Sequence, residues 1–403
     1  MYKIDRLDDF GRGITYIDNK ICFVNNALID EEVEVNITNE KSKYLEGDVK
    51  ELIKKSNNRI KAKCPYYNVC GGCNTMHMKY LSELEFKKNK VENILSRYAK
   101  VNNVVKEIIK TDEFNYRNKV TLKVKDGHLG YFKDKSYNLV NINKCLLCNN
   151  KINEVIDTLN NLDLKGINEI VIRCNYNDEI LLYLIGNIED YNYFIDNLSI
   201  CDNIVVSNYK TVKTLKGNNY LIDKIGNLSF RVTYNSFFQV NRNGVLKLYD
   251  KVKEYASLTG EENVLDLYCG TGTIGMYLAN NAKKVYGVEI NKNAIDDAIY
   301  NKKLNNINNI DFICLDASLI KEKYKDIDLV VVDPPRSGLE KKSINNILEI
   351  NPKKIIYVSC EPLTLARDLK IFKEKYEIKE VTLVDMFPNT YHVECVCLLY
   401  KRN

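Results

Sequence analysis

From about residue 235 onward the chain alternates short, nearly continuous apolar runs with amphipathic stretches, and no other feature limits its fold so strongly. The runs are Asn263–Leu267, Lys284–Val288, Asp311–Cys314, Leu329–Val332, Lys354–Ser359 and Val393–Tyr400. Strands that are apolar on both faces belong to parallel sheets covered by helices on both sides. The pattern predicts a doubly wound α/β unit. Such sheets bind ligands outside the carboxyl ends of their strands, and this sequence places its unusual residues there.

The first group is Val264-Leu265-Asp266-Leu267-Tyr268-Cys269-Gly270-Thr271-Gly272-Thr273-Ile274-Gly275, a strand entering a glycine-rich turn and then a helix. Glycine lets backbone approach a ligand closely. Glu289, nineteen residues past Gly270, closes the next strand, where a carboxylate can accept both hydroxyls of an adenosine ribose. Gly270-x-Gly272-x-x-Gly275 also matches the dinucleotide fingerprint, so NAD competes with S-adenosylmethionine, and a purely structural turn is the bland reading. Asp266 before the turn and Asp316 after the third strand, suited to an adenine edge, favour S-adenosylmethionine.

Two further strand ends carry chemistry. Asp333-Pro334-Pro335-Arg336 sets an acid and a cation around a stiff exit, although paired prolines also serve as plain turns. Ser359-Cys360-Glu361-Pro362 ends a strand on a thiol ahead of a helix, whose dipole favours the nucleophilic thiolate. A lone strand-end cysteine is more often core filler, and the Asp333 turn beside it reverses that preference. Glu394 lies in the otherwise apolar Tyr391–Leu399 with His392 on its face by period 2; a buried carboxylate is either paired or functional.

The chain has thirteen cysteines and no recognisable signal peptide at Met1-Tyr2-Lys3-Ile4-Asp5-Arg6. This predicts a reducing, cytoplasmic setting in which thiols bind metal, act as nucleophiles or fill cores. Cys64-x5-Cys70-x2-Cys73 supplies three ligands, and Cys145 or Cys148 the fourth; four sulfurs fit zinc or an iron–sulfur cluster. The spacing differs from the C-x3-C-x2-C triplet of radical enzymes, so the site reads as closed and structural.

Residues 1–57 read as a small β unit: Val33, Val35 and Ile37 alternate with polar residues, and Asp18-Asn19 marks a two-residue hairpin turn. A five-stranded OB-type barrel, often a nucleic-acid binder, fits that length. Leu81, Leu84, Val91, Leu95 and Tyr98 predict an amphipathic helix over Lys79–Lys100. The net charge of +5 permits an RNA partner without requiring one. The chain divides into 1–57, 58–234 and 235–403.

Together, Cys64–Cys73, Phe237-Phe238-Gln239-Val240-Asn241, Asp266–Gly272, Asp333-Pro334-Pro335-Arg336, Ser359-Cys360 and His392-Val393-Glu394 resemble the RNA uracil-C5 methyltransferases, in particular their bacterial ribosomal RNA branch, over essentially the whole chain. The resemblance implies a TRAM barrel over 1–57, a central α+β iron–sulfur domain over 58–234 and a Rossmann-like, class I methyltransferase domain over 235–403, with the helix Lys79–Lys100 packed on the last. It makes Cys360 the nucleophile and Glu394 the base. Gln239, Tyr268, Gly270, Glu289, Asp316 and Asp333 become the S-adenosyl-L-methionine and active-site contacts, with Phe237 or Phe238 holding displaced bases. Cys64, Cys70, Cys73 and Cys145 become ligands of a 4Fe–4S cluster, with Cys148 the alternative fourth. The implied partner is 23S ribosomal RNA, bound by a monomer with no membrane role, because the transfer-RNA branch is expected to lack both the barrel and the cluster. A transfer-RNA enzyme and a non-catalytic RNA-binding protein are the alternatives.

Overall fold

A computed structural model describes residues 1–133, 136–322, 324 and 326–402. An eight-stranded sheet organises the C-terminal half. Its order is Ile310–Cys314, Lys284–Glu289, Asn263–Leu267, Leu329–Val332, Lys354–Ser359, Glu394–Lys401, Tyr376–Val384 and Val105–Ile109. The first five strands are mutually parallel; Glu394–Lys401 runs antiparallel to both its neighbours. Helices cover both faces, so Leu329–Val332 is buried along its whole length, as its unbroken apolar text predicts.

Two strands of this sheet escape a reading of periodicity. Tyr376–Val384 begins Tyr-Glu-Ile-Lys-Glu and is apolar only at its end. Val105–Ile109 comes from far upstream and pairs parallel to it. The hairpin Tyr220–Ile225 and Leu228–Thr233 also sends Ile225, Phe230 and Val232 into the core that holds Val264 and Ile274. A boundary at 234/235 therefore cuts through one packed core; the methyltransferase-like unit draws on residues before it.

The expected long helix is an α-helix over Tyr80–Ile94 that widens into a π turn over Leu95–Ala99 and stops at left-handed Lys100. Val91, Ile94, Leu95 and Ala99 are buried against the large sheet. Leu81 and Tyr98, placed on the apolar face by spacing, are instead 75 % and 49 % exposed. The wider π turn shifts the register after Ile94, which turns Tyr98 outward.

The N-terminal unit is a six-stranded sheet over Tyr2–Lys54 rather than five-stranded. Asp18 and Asn19 both take positive φ (48° and 62°), the pair that a two-residue hairpin requires. The middle of the chain forms a seven-stranded sheet from Lys119–Lys125 to Val212–Lys216, backed by the Asn149-capped helix Asn150–Asn160. Among the described residues no helix is long and apolar enough to cross a membrane.

Candidate active site and a cysteine-lined cavity

The glycine-rich turn is built by conformations few side chains tolerate. Tyr268, Gly270 and Gly272 all have positive φ, and a Cβ on Gly272 would meet the Phe312 ring at 2.5 Å. The Gly275 N–H donates to Asp266 Oδ2 at 2.8 Å, and Asp266 Oδ1 is buried without a protein partner. Burial pushes the Asp266 carboxyl up to about 8. Glu289 is fixed at the mouth of the turn, accepting from Gly270 N–H at 3.2 Å and Asn291 N–H at 2.8 Å. Asp316 accepts from Ser318 N–H at 2.7 Å, and the half-buried Tyr268 hydroxyl donates to Ser343 at 3.3 Å.

Cys360 and Glu394 come from adjoining antiparallel strands. The register pairs Ser359 with Cys395; Cys360 follows directly and Glu394 opens its strand opposite Val384, and the charges of Glu394 and Asp333 both act on the Cys360 thiol at this carboxyl-end rim. Burial, then the neighbouring Asp333 charge, pushes Glu394 up to about 8; Arg336 opposes this. Burial likewise holds Asp333 at about 7. The Cys360 thiol is pushed up to about 11, first by burial and then by Glu394 and Asp333. The expected dipole-stabilised thiolate is thus outweighed. The helix is Pro362–Phe372, capped by Glu361, and burial of the sulfur, with Glu394 and Asp333 secondary to it, overcomes its partial positive charge.

Gln239 is half-buried, and its carbonyl accepts from Asn118 at 3.2 Å. Asn241 caps the helix Arg242–Ala256 through Gly244 N–H and reaches Met386 O at 3.0 Å. Of the adjacent rings, Phe238 is buried beside Phe230, whereas Phe237 is 76 % exposed, so only Phe237 is available to a base. Tyr249 escapes detection in the sequence because it reads as one more apolar-face residue of its helix. It lies fully buried within reach of the charges of Asp333, Asp266 and Glu394, hydrogen-bonded to Thr273 at 2.7 Å.

The loop leading to Glu394 is clamped from outside the sheet. Lys87, fully buried, contacts Glu83 and Asp385 at 2.6 Å each and Phe387 O at 3.2 Å. Glu83 also accepts from Asn389 N–H at 2.8 Å. Asn74 and Thr75, next to Cys73, donate their N–H groups to Asn389 O at 3.0 and 3.3 Å. His392 packs on Tyr391, and burial with nearby Arg336 lowers it to about 4, so it is neutral.

Cys64, Cys70, Cys73 and Cys145 line a cavity of about 80 Å³ together with Arg117, Tyr67 and Tyr131. Cys148 does not line the cavity and packs in the neighbouring apolar core, with its thiol against that of Cys145 and its N–H donating to Cys145 O at 3.1 Å. Among the described residues no three His, Cys, Asp or Glu side chains are drawn tightly enough together to hold a single metal ion.

Comparison with known proteins supplies the family. The family model described as tRNA (Uracil-5-)-methyltransferase matches residues 204–402, and that of the TRAM domain matches 3–50. An uncharacterised RNA methyltransferase of Clostridium acetobutylicum is 38 % identical, covering 99 % of this chain and 96 % of its own. One of Staphylococcus aureus is 35 % identical over 96 % and 95 %. The solved Pyrococcus abyssi tRNA (uracil-54, C5)-methyltransferase, in complex with S-adenosyl-L-homocysteine, is 27 % identical, covers 99 % of both chains and superposes with a TM-score of 0.82. A transfer-RNA enzyme can therefore span this entire architecture, which removes the expectation that such enzymes lack the N-terminal unit. With a class I methyltransferase fold and an N-terminal TRAM domain, this chain belongs to the RNA uracil-5-methyltransferase family and is an S-adenosylmethionine-dependent enzyme acting on uracil C5 in RNA.

Proposed function

We propose that the enzyme methylates a uridine of large-subunit (23S) ribosomal RNA, with Cys360 as nucleophile and Glu394 as base. The register that brings the ends of these two strands together carries the roles of Cys360 and Glu394, and the choice of 23S RNA rests on the likeness of the sequence motifs to the ribosomal RNA branch. Uracil C5 is too weak a carbon nucleophile to take a methyl group unaided. Addition of the Cys360 thiolate at C6 forms an S–C6 bond and moves the C5=C6 electrons onto C5 and O4. When bound, S-adenosylmethionine supplies an electrophilic methyl group. Once C5 carries both methyl and hydrogen, Glu394 removes the C5 proton, and the returning electrons expel Cys360 from C6. Gly270, Glu289, Asp316, Tyr268, Gln239 and Asp333 are the residues we assign to the methyl donor; the orphaned Asp266 Oδ1 supports a ligand at this turn.

Thiol and carboxyl both sit protonated near neutrality, at about 11 and about 8. Activity requires both to lose a proton. Between about pH 6 and 8, kcat is expected to rise at least tenfold per unit; a flat profile over that range removes these roles.

The cysteine cavity supports a 4Fe–4S cluster on Cys64, Cys70, Cys73 and Cys145. Its volume is several times what one ordered water needs, more than a single zinc requires. Arg117 at its wall offers a cation to a negatively charged cluster. Iron and acid-labile sulfide near four each per chain after anaerobic purification are expected; stoichiometric zinc without sulfide overturns this.

The second reading is transfer RNA, favoured by the full-length match to the Pyrococcus enzyme. Mass mapping of methylated uridines in both RNAs from a deletion strain decides between them. A uridine lost from 23S RNA supports the proposal, and one lost only from transfer RNA replaces it.

A further inference from the structure

We propose that Phe10 of the TRAM domain, braced edge-on against Tyr391 of the loop before Glu394, is the stacking platform for an unpaired RNA base next to the methylated uridine. This deepens the reading of the enzyme as acting on RNA and rests on it.

A run of contacting rings leads from the N-terminal sheet to the active site. Phe10 meets Tyr391 edge-on at 5.2 Å between centroids, and Tyr391 meets His392 at 4.3 Å, two residues before Glu394. Phe10 is 52 % exposed, yet its loop is rigidly built. The Asp8 carboxylate accepts from Phe10 N–H at 2.9 Å, from Arg12 N–H at 2.8 Å and from Arg12 Nε at 2.7 Å. Gly11, at φ 82°, lets the loop turn against Thr75, Phe86 and Met78 beneath it.

Cations flank the rings. The Arg12 guanidinium lies between Phe10 and Phe23, 5.6 and 4.6 Å from their centroids. Lys90 Nζ lies 5.1 Å from the Tyr391 ring and donates to Tyr391 O at 3.1 Å. Arg12 is itself paired with Asp8 at 2.7 Å and Glu46 at 3.1 Å, so what the site offers a base is chiefly its exposed ring, and stacking on such a ring is the sequence-tolerant part of single-strand binding. The reaction creates the need for it, because extruding a uridine into a pocket leaves its neighbours without a stacking partner.

The test uses a synthetic RNA hairpin that the wild-type enzyme methylates, with 2-aminopurine placed in turn at each position flanking the target uridine. Binding of wild type should quench one position through stacking. Phe10→Ala should lose that quench and raise KM roughly 5- to 150-fold, the range that loss of one stacked base implies. Phe10→Trp should keep both. The salt dependence of binding should stay unchanged in Phe10→Ala, because no phosphate contact is removed. Its thermal midpoint with S-adenosylhomocysteine should match wild type. A Phe10→Ala enzyme with KM within twofold of wild type, or with equal loss in Phe10→Trp, overturns the platform. A wild-type enzyme that methylates no RNA offered overturns the underlying reading itself, and that outcome is recognisable before any variant is made.

Discussion

Glu394→Gln is expected to arrest the enzyme as a covalent protein–RNA adduct, whereas Cys360→Ala forms none. Glutamine keeps the size of the side chain but cannot accept the C5 proton. Sulfur addition and methyl transfer then proceed, and elimination fails. Removal of a general base costs about 10²–10⁴ in rate, so turnover should fall into that range while up to one methyl per enzyme is still incorporated. Denaturing gels with labelled RNA detect the adduct. The double variant Cys360→Ala/Glu394→Gln should be adduct-free. Equal, adduct-free loss in both single variants would remove the proposed roles, and a Glu394→Gln enzyme with near-normal turnover would leave Glu394 without one.

Lys87→Met should be the most damaging substitution away from the reacting groups. It strands Glu83 and Asp385 in a space where neither they nor Lys87 see solvent. Breaking a buried ion pair by removing one partner costs about 3–5 kcal/mol. The pH dependence carries a definite sign. Burial already lifts Glu83 to about 7 beside the lysine, well above its unfolded range. Without the cation the folded state holds protons more tightly still. A folded-state carboxyl raised above its unfolded value loses stability as pH rises. The deficit should therefore be smallest near pH 5 and grow towards pH 8 in urea titrations. A pH-independent loss below about 1 kcal/mol would show that the triad does not hold this helix in place. Because Asp385 and Asn389 belong to the loop before Glu394, the folded fraction of Lys87→Met should also lose kcat more than RNA affinity.

The sequence disclosed the parts of the molecule whose chemistry repeats locally. Leu329–Val332 and Asn263–Leu267 announce buried parallel strands, and the positive-φ turn at Gly270–Gly272 announces a backbone approached by a ligand. What stayed hidden depends on contacts between distant residues. Lys87 looks like one lysine among many on a charged helix, and only the fold brings it to Asp385. Tyr249 reads as core and is core, yet it underlies three carboxylates. The raised Cys360 thiol was hidden for a related reason: the helix dipole is written locally, whereas the burial and the two acids that outweigh it come from other strands.

The outermost strand of the catalytic sheet has a consequence for how the chain is made. Val105–Ile109 leaves the ribosome long before Tyr376–Val384, the strand it pairs with, has been translated. Until then it is an open edge able to pair with another nascent chain. Lys106 and Glu107, both exposed, are the charges that blunt such an edge, so neutralising them should show first as aggregation during expression and only later, if at all, as lost activity.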